Sequence, residues 1–143
     1  MLHTPAIIPP YLIDLVWPTV SDIIGTIIRK AHGEMTLDTV KAKLKEDRAL
    51  MVLLLDNDIV KGLGIFQTEV YDSGKKVLVL SMAAGDMEFF TGEYDNVFLD
   101  LAKNLQCDEI RAIGARLGWE KALEKSSTKW KKLSTTLIYK VEN

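Results

Sequence analysis

Between Val77 and Leu105 an apolar strand, a loop and an amphipathic helix follow one another directly. That order constrains the fold more than any other part of the chain. The strand is VLVLSM, the loop AAGDMEFFTGE and the helix YDNVFLDLAKNL. In the helix, Val97, Phe98, Leu101 and Leu105 recur at helical spacing and form one buried stripe. A strand that feeds a packed helix belongs to a sheet with helices laid on it, so the chain reads as mixed α/β.

The remaining segments extend this pattern. Pro5, Pro9 and Pro10 crowd the start, so residues 1–16 are expected as an extended segment. Helix one is expected to start after Trp17, with Pro18 at its first position, where a missing N–H costs nothing. Val20, Ile23, Ile24, Ile27 and Ile28 then make one apolar stripe, ended by His32-Gly33. A second helix follows Thr36, an expected N-cap, with Asp38 in its first turn and Met35 stapling onto Val40; it stops near Asp47. Ala49–Leu55 is a continuous apolar run suited to a strand buried on both faces. Asp56-Asn57-Asp58 turns the chain into Ile59–Val70, where Gly62 and Gly64 hint at a bulge. Asp72-Ser73-Gly74 turns it again into Lys76–Met82. After the helix of the opening segment come a short strand at Glu109–Gly114, a short helix at Gly118–Glu124 and a last strand at Ser134–Val141. The expected order is α-α-β-β-β-α-β-α-β in one domain spanning 1–143.

With 143 residues, 48% of them apolar, and a net charge of −2, the chain has enough apolar surface for one core and too little charge for disorder. No uninterrupted apolar run approaches the roughly 20 residues of a membrane span, so no membrane partner is expected. MLHTPAII lacks a basic n-region and does not read as a secretion signal. Cys107 alone excludes an internal disulfide. Charge is segregated: seven acids against one base lie between Ala84 and Glu109, and eight bases against three acids between Arg111 and Asn143. The basic tail, including Lys121–Lys132, raises nucleic-acid binding as a third and weakest reading. The pI near 5.7 argues against it.

The element order from about Trp17 to Val141 resembles the GNAT superfamily of N-acetyltransferases. Pro9-Pro10 followed by Ile13-Asp14-Leu15-Val16-Trp17-Pro18, then Cys107-Asp108-Glu109-Ile110, Gly114-Ala115-Arg116-Leu117-Gly118-Trp119 and Trp130-Lys131-Lys132, resembles small GNAT-like proteins of bacteriophages and prophages. The likeness implies a phage-particle or assembly role as readily as acetyl transfer. It places the protein in a virion or in the cytoplasm of an infected bacterial host, and not among secreted proteins.

An acetyl-CoA site of that kind needs a splayed strand for the pantetheine arm, a Gly-rich turn for the pyrophosphate and a group to move protons. Val77–Met82 can supply the strand. The family resemblance implies an Arg/Gln-x-x-Gly-x-Gly/Ala turn, whereas Ala83–Tyr94 holds Gly85 and Gly92 without Arg or Gln. It carries Asp86, Glu88 and Glu93, each repelling a diphosphate by about 1 kcal/mol at water-like screening. Glu93 and Asp95 would instead cap the helix. No catalytic residue stands out: Trp119 occupies the place where the resemblance implies a tyrosine, Tyr139 fits core packing, and Cys107 beside Asp108 reads as a small apolar residue. No metal-ligand spacing occurs.

The leading expectation is a GNAT-fold phage-type protein, non-catalytic or vestigial, that binds phage structural proteins and needs no cofactor. Phe89, Phe90, Trp130 and Lys131 are its interface candidates. The alternative is an acetyl-CoA-dependent N-acetyltransferase with a degenerate pyrophosphate loop. Met82, Ala83, Gly85 and Gly92 would then line the cofactor.

Overall fold

A computed structural model describes residues 4–30, 33, 35–85, 95–112 and 139–141. Five strands, β1 (Thr4–Ile8), β2 (Leu50–Asp56), β3 (Ile59–Val70), β4 (Lys76–Gly85) and β5 (Glu109–Ala112), form one sheet in chain order. The first four pair antiparallel and β5 lies parallel to β4, so the sheet is mixed. Helices α1 (Ile13–Arg29) and α2 (Leu37–Lys45) precede β2, and α3 (Asp95–Asn104) lies between β4 and β5.

Each face of the sheet carries its own core. On one, Met51, Leu53, Leu63, Ile65 and Met82 pack with Ile13, Val20 and Ile24 of α1 and with Val40 and Leu44 of α2. On the other, Val52, Leu54, Phe66, Leu78 and Leu80 pack with Phe98, Leu101 and Ala102 of α3. Alternate residues of β2 therefore serve opposite cores, which is why that strand tolerates no polar interruption.

α1 begins earlier than its proline suggests. Pro18 lies inside the helix instead of opening it, and Ile13–Trp17 are helical rather than extended. Proline removes one helical hydrogen bond and crowds the carbonyl four residues back. Against that, Ile13 is fully buried and Val16 and Trp17 pack on the same core. A fully buried isoleucine contributes about 1.5–3 kcal/mol, enough to offset much of the proline's cost. Trp17 is thus a helical residue, with Lys41 Nζ 5.4 Å from its ring centre. Before the helix, residues 4–8 form the edge strand β1, and Pro10–Leu12 make one tight turn.

The helical span Pro10–Arg29, with mean hydropathy 1.4, is long and apolar enough to cross a membrane. Counting uninterrupted runs misses it, because Asp14 and Asp22 break the run without much lowering its mean. In the fold its Ile13, Val20 and Ile24 face belongs to the sheet core.

α2 follows expectation. The Thr36 hydroxyl accepts from Thr39 N–H, and the Thr39 hydroxyl accepts from Thr36 N–H, closing a reciprocal capping box. Thr36→Ala is expected to remove about 1 kcal/mol of stability, and Thr36→Ser to retain most of it, in thermal denaturation. Asp14 ties the two helices, 2.9 Å from Lys45 Nζ and 3.4 Å from Lys41 Nζ. The Lys45 hydrogen bond holds the Asp14 carboxyl below its ordinary value.

At the chain's end, 139–141 are not a strand: Tyr139 is 95% exposed and no described strand pairs with it. Alternation alone cannot make a strand without a neighbouring edge, so the expected core role of Tyr139 does not hold. The expected helix at 118–124 and the rest of the last strand lie outside the described residues.

Candidate functional site

The site is built at the end of β4, past its last described pair with β5. The parallel start is pinned at Asp108, whose N–H donates to Lys76 O at 2.7 Å while its carboxylate accepts from Lys76 N–H at 3.0 Å. Glu109 accepts from Arg111 Nε at 2.5 Å and lies 3.4 Å from Lys75 Nζ; the Arg111 contact holds its carboxyl below 4.5. Arg111 stands 4.9 Å from the Tyr71 ring centre. From there the described pairs run from Val77↔Glu109 to Leu80↔Ala112. β4 continues for five more residues, Ser81–Gly85, three of them beyond the expected end at Met82.

Two features shape that extension. Ile65 pairs with Met82 and Phe66 with Leu80, so Ser81 is an extra residue, a bulge whose hydroxyl donates to Ile65 O at 3.1 Å. Leu78 and Leu80 face the α3 core, but after the bulge Met82 faces the α1/α2 core and Ala83 the α3 core. The phase of the strand is inverted at Ser81. Further on, Ala83, Ala84 and Gly85 pair with Gly64, Leu63 and Gly62. Gly85 has φ +100°, and a Cβ there would lie 2.6 Å from Gly62 Cα and closer still to the Lys61 carbonyl oxygen. Lys61 is itself the extra residue of a second bulge, between the pairs Leu54↔Gly62 and Leu55↔Val60. Gly62, read with Gly64 as a bulge signal, adjoins that bulge, and it also lies against Gly85 where the two backbones approach.

Beside this extension lies a cleft of about 410 Å³, lined by Ile23, Thr26, Ile27 and Lys30 of α1 and by Ala83, Ala84 and Gly85 of β4. The Thr26 hydroxyl is already engaged, donating to Asp22 O at 2.9 Å and accepting from Arg29 Nη2 at 3.0 Å. Among the described residues of the lining Lys30 is the one charged side chain, and none is a carboxylate, histidine or tyrosine.

Of the residues singled out by sequence, Ala83 and Gly85 line this cleft. The Met82 side chain is 3% exposed in the core, leaving only its backbone to meet a ligand. Gly92, Phe89, Phe90, Trp130 and Lys131 lie outside the described residues, as do Asp86, Glu88 and Glu93. Sequence reasoning missed Ser81, Ala84 and the α1 wall. Ile23 and Ile27 read as core, and only the run of small residues after Met82 signalled a place of close approach. Cys107 packs against the α3 core as expected. Among the described residues no three His, Cys, Asp or Glu side chains are placed to hold a metal ion.

No family model matches the sequence, and no curated protein matches it. Solved structures do match. An aminoglycoside acetyltransferase from an uncultured soil metagenomic sample superposes with TM-score 0.67 at 9% identity, covering 99% of this chain and 97% of that one. This is the fold of the GNAT acetyltransferases. The ribosomal-protein-alanine N-acetyltransferase of Brucella melitensis biovar Abortus 2308 gives 0.58 at 12% identity, covering 94% and 99%. Glucosamine-6-phosphate N-acetyltransferase of Arabidopsis thaliana gives 0.56 at 12% identity, covering 96% and 100%. The GNAT likeness runs over essentially whole chains. The narrower likeness to phage proteins gains nothing from these neighbours, and neither does the expectation that no cofactor is needed.

Proposed function

We propose that the chain is an acyl-CoA-dependent N-acyltransferase, with acetyl-CoA as donor. The observation that carries this reading is the bulge at Ser81, which breaks the regular course of β4 beside the cleft, in a fold whose solved neighbours include acetyltransferases. In this reading the main-chain N–H and C=O groups on the side of Ser81–Gly85 turned away from β3 meet an amide-bearing arm. Met82, Ala83 and Ala84 hold that arm through their backbones, and Gly85 lets the chain turn away without a side chain between it and β3. Bound acetyl-CoA supplies an activated thioester, from which the acyl group passes to an amine nitrogen while the thiol departs. None of the described lining residues is a general base, so among them nothing takes the proton that the acceptor amine must lose.

A second reading has a specific observation of its own. Asp86, Glu88 and Glu93 fill the loop that would meet the diphosphate, with no Arg or Gln among residues 83–94. That favours a cofactor-free binding protein, with phage structural proteins as partners and Phe89, Phe90, Trp130 and Lys131 at the interface. Calorimetric titration with acetyl-CoA separates the two. Micromolar binding is expected; heat indistinguishable from dilution at millimolar acetyl-CoA would discard the transferase. Co-purification with capsid, portal or tail proteins would then support the second.

A further inference from the structure

We propose that the cleft between α1 and the end of β4 takes the acceptor, and that Lys30 selects an amine carrying a carboxylate or phosphate. This rests on the transferase reading and names its substrate class. The lining runs from Ile23 to Lys30 at the α1 C-cap, eight residues and about 10 Å of rise, enough for a small molecule laid along it. Ile23, Ile27 and Ala84 give the cleft an apolar floor, suited to a short hydrocarbon body, and Ala83, whose side chain packs toward α3, borders it through its backbone. Thr26 spends its hydroxyl within α1, so it reads no ligand.

Among the described lining residues, Lys30 alone brings a charge to the cleft. Asp14, Glu46 and Glu109 each pair with other cations, and no described carboxylate forms an ion pair with Lys30. A lysine at this position also complements the negative end of the α1 dipole, but that role is met from outside the helix and leaves the ammonium hydrogens available. Beside an apolar wall the cation attracts an oxyanion more strongly than it would in open water. On the other wall, Ala83–Gly85 have one backbone edge committed to Gly62–Gly64 of β3. A ligand therefore meets small side chains there and a cation at the far end.

Equilibrium binding tests this without turnover. The probes are L-alanine against L-alaninamide for a carboxylate, and phosphoethanolamine against ethanolamine for a phosphate. Each pair keeps the amine and removes the oxyanion. The intact protein is expected to prefer at least one anionic member by about tenfold, and Lys30→Gln to abolish that preference while leaving the melting temperature and acetyl-CoA affinity unchanged. The pair that shows the preference identifies the oxyanion. Equal affinity within both pairs, or a preference that survives Lys30→Gln, overturns the proposal. Failure to bind acetyl-CoA is a separate result and counts against the transferase reading.

Discussion

Phe66→Ala is expected to lower unfolding stability by about 3–5 kcal/mol, the largest loss from any single side chain on the α3 face. Phe66 is 1% exposed, and its ring centre lies 5.5 Å from that of Phe98 at a 40° tilt. The side chain joins β3 to α3 and touches Val52, Leu54 and Leu80 through the same core. Truncation removes the apolar area, the aromatic pair and the support beneath α3 together. For a domain whose total stability is on the order of 5–15 kcal/mol, such a loss shifts the urea midpoint far to the left. Phe66→Leu, which keeps most of the volume, should lose clearly less. A loss below about 1 kcal/mol for the alanine variant would mean that α3 does not share a core with the sheet.

Gly85→Ala is expected to cost about 3 kcal/mol although it adds one methyl group. Roughly 1–2 kcal/mol comes from holding a β-carbon in the left-handed region, and about as much from pushing the Lys61–Gly62 backbone aside. Gly74 supplies the comparison, since φ is +87° there but nothing lies within 4 Å of a Cβ. Gly74→Ala should therefore show the conformational part alone. The difference between the two variants measures the close approach of β3 and β4. In the transferase reading Gly85→Ala should also weaken acetyl-CoA binding, because it separates the end of β4 from the strand that holds it. Equal losses at the two glycines would show that the backbones are not in contact.

Much of this architecture follows from short-range rules. Thr36 and its capping partner, the double-faced run at 50–56, the Asp-Asn-Asp and Asp-Ser-Gly turns and the α3 stripe all declare themselves within a few residues of chain. What escaped reading depends on distant partners. Pro18 looked like a helix start because the burial of Ile13 against Met51 and Leu53 cannot be seen locally. β4 appeared to end at Met82 because Ala83-Ala84-Gly85 has little strand propensity; its strand character comes from Gly62–Gly64 lying alongside. The α1 wall of the cleft stayed hidden for a similar reason. Ile23 and Ile27 obey the same period as Val20 and Ile24 and pack against the same core, but they stay partly exposed and so also line the cleft.

The extra residue at Ser81 has a bearing on how such a chain can change over time. Up to Leu80, odd and even positions are bound to opposite interiors, so a substitution there is judged by the packing it meets. Past the offset the parity starts afresh, and Ala83, Ala84 and Gly85, all small, border the cleft. Ala84 can thus be exchanged to suit a new guest without renegotiating the hydrophobic layers that hold the scaffold together, whereas Ala83 and Gly85 stay bound to the α3 core and to β3. Removing Ser81 would abolish that freedom by throwing Met82 onto the α3 side of the sheet.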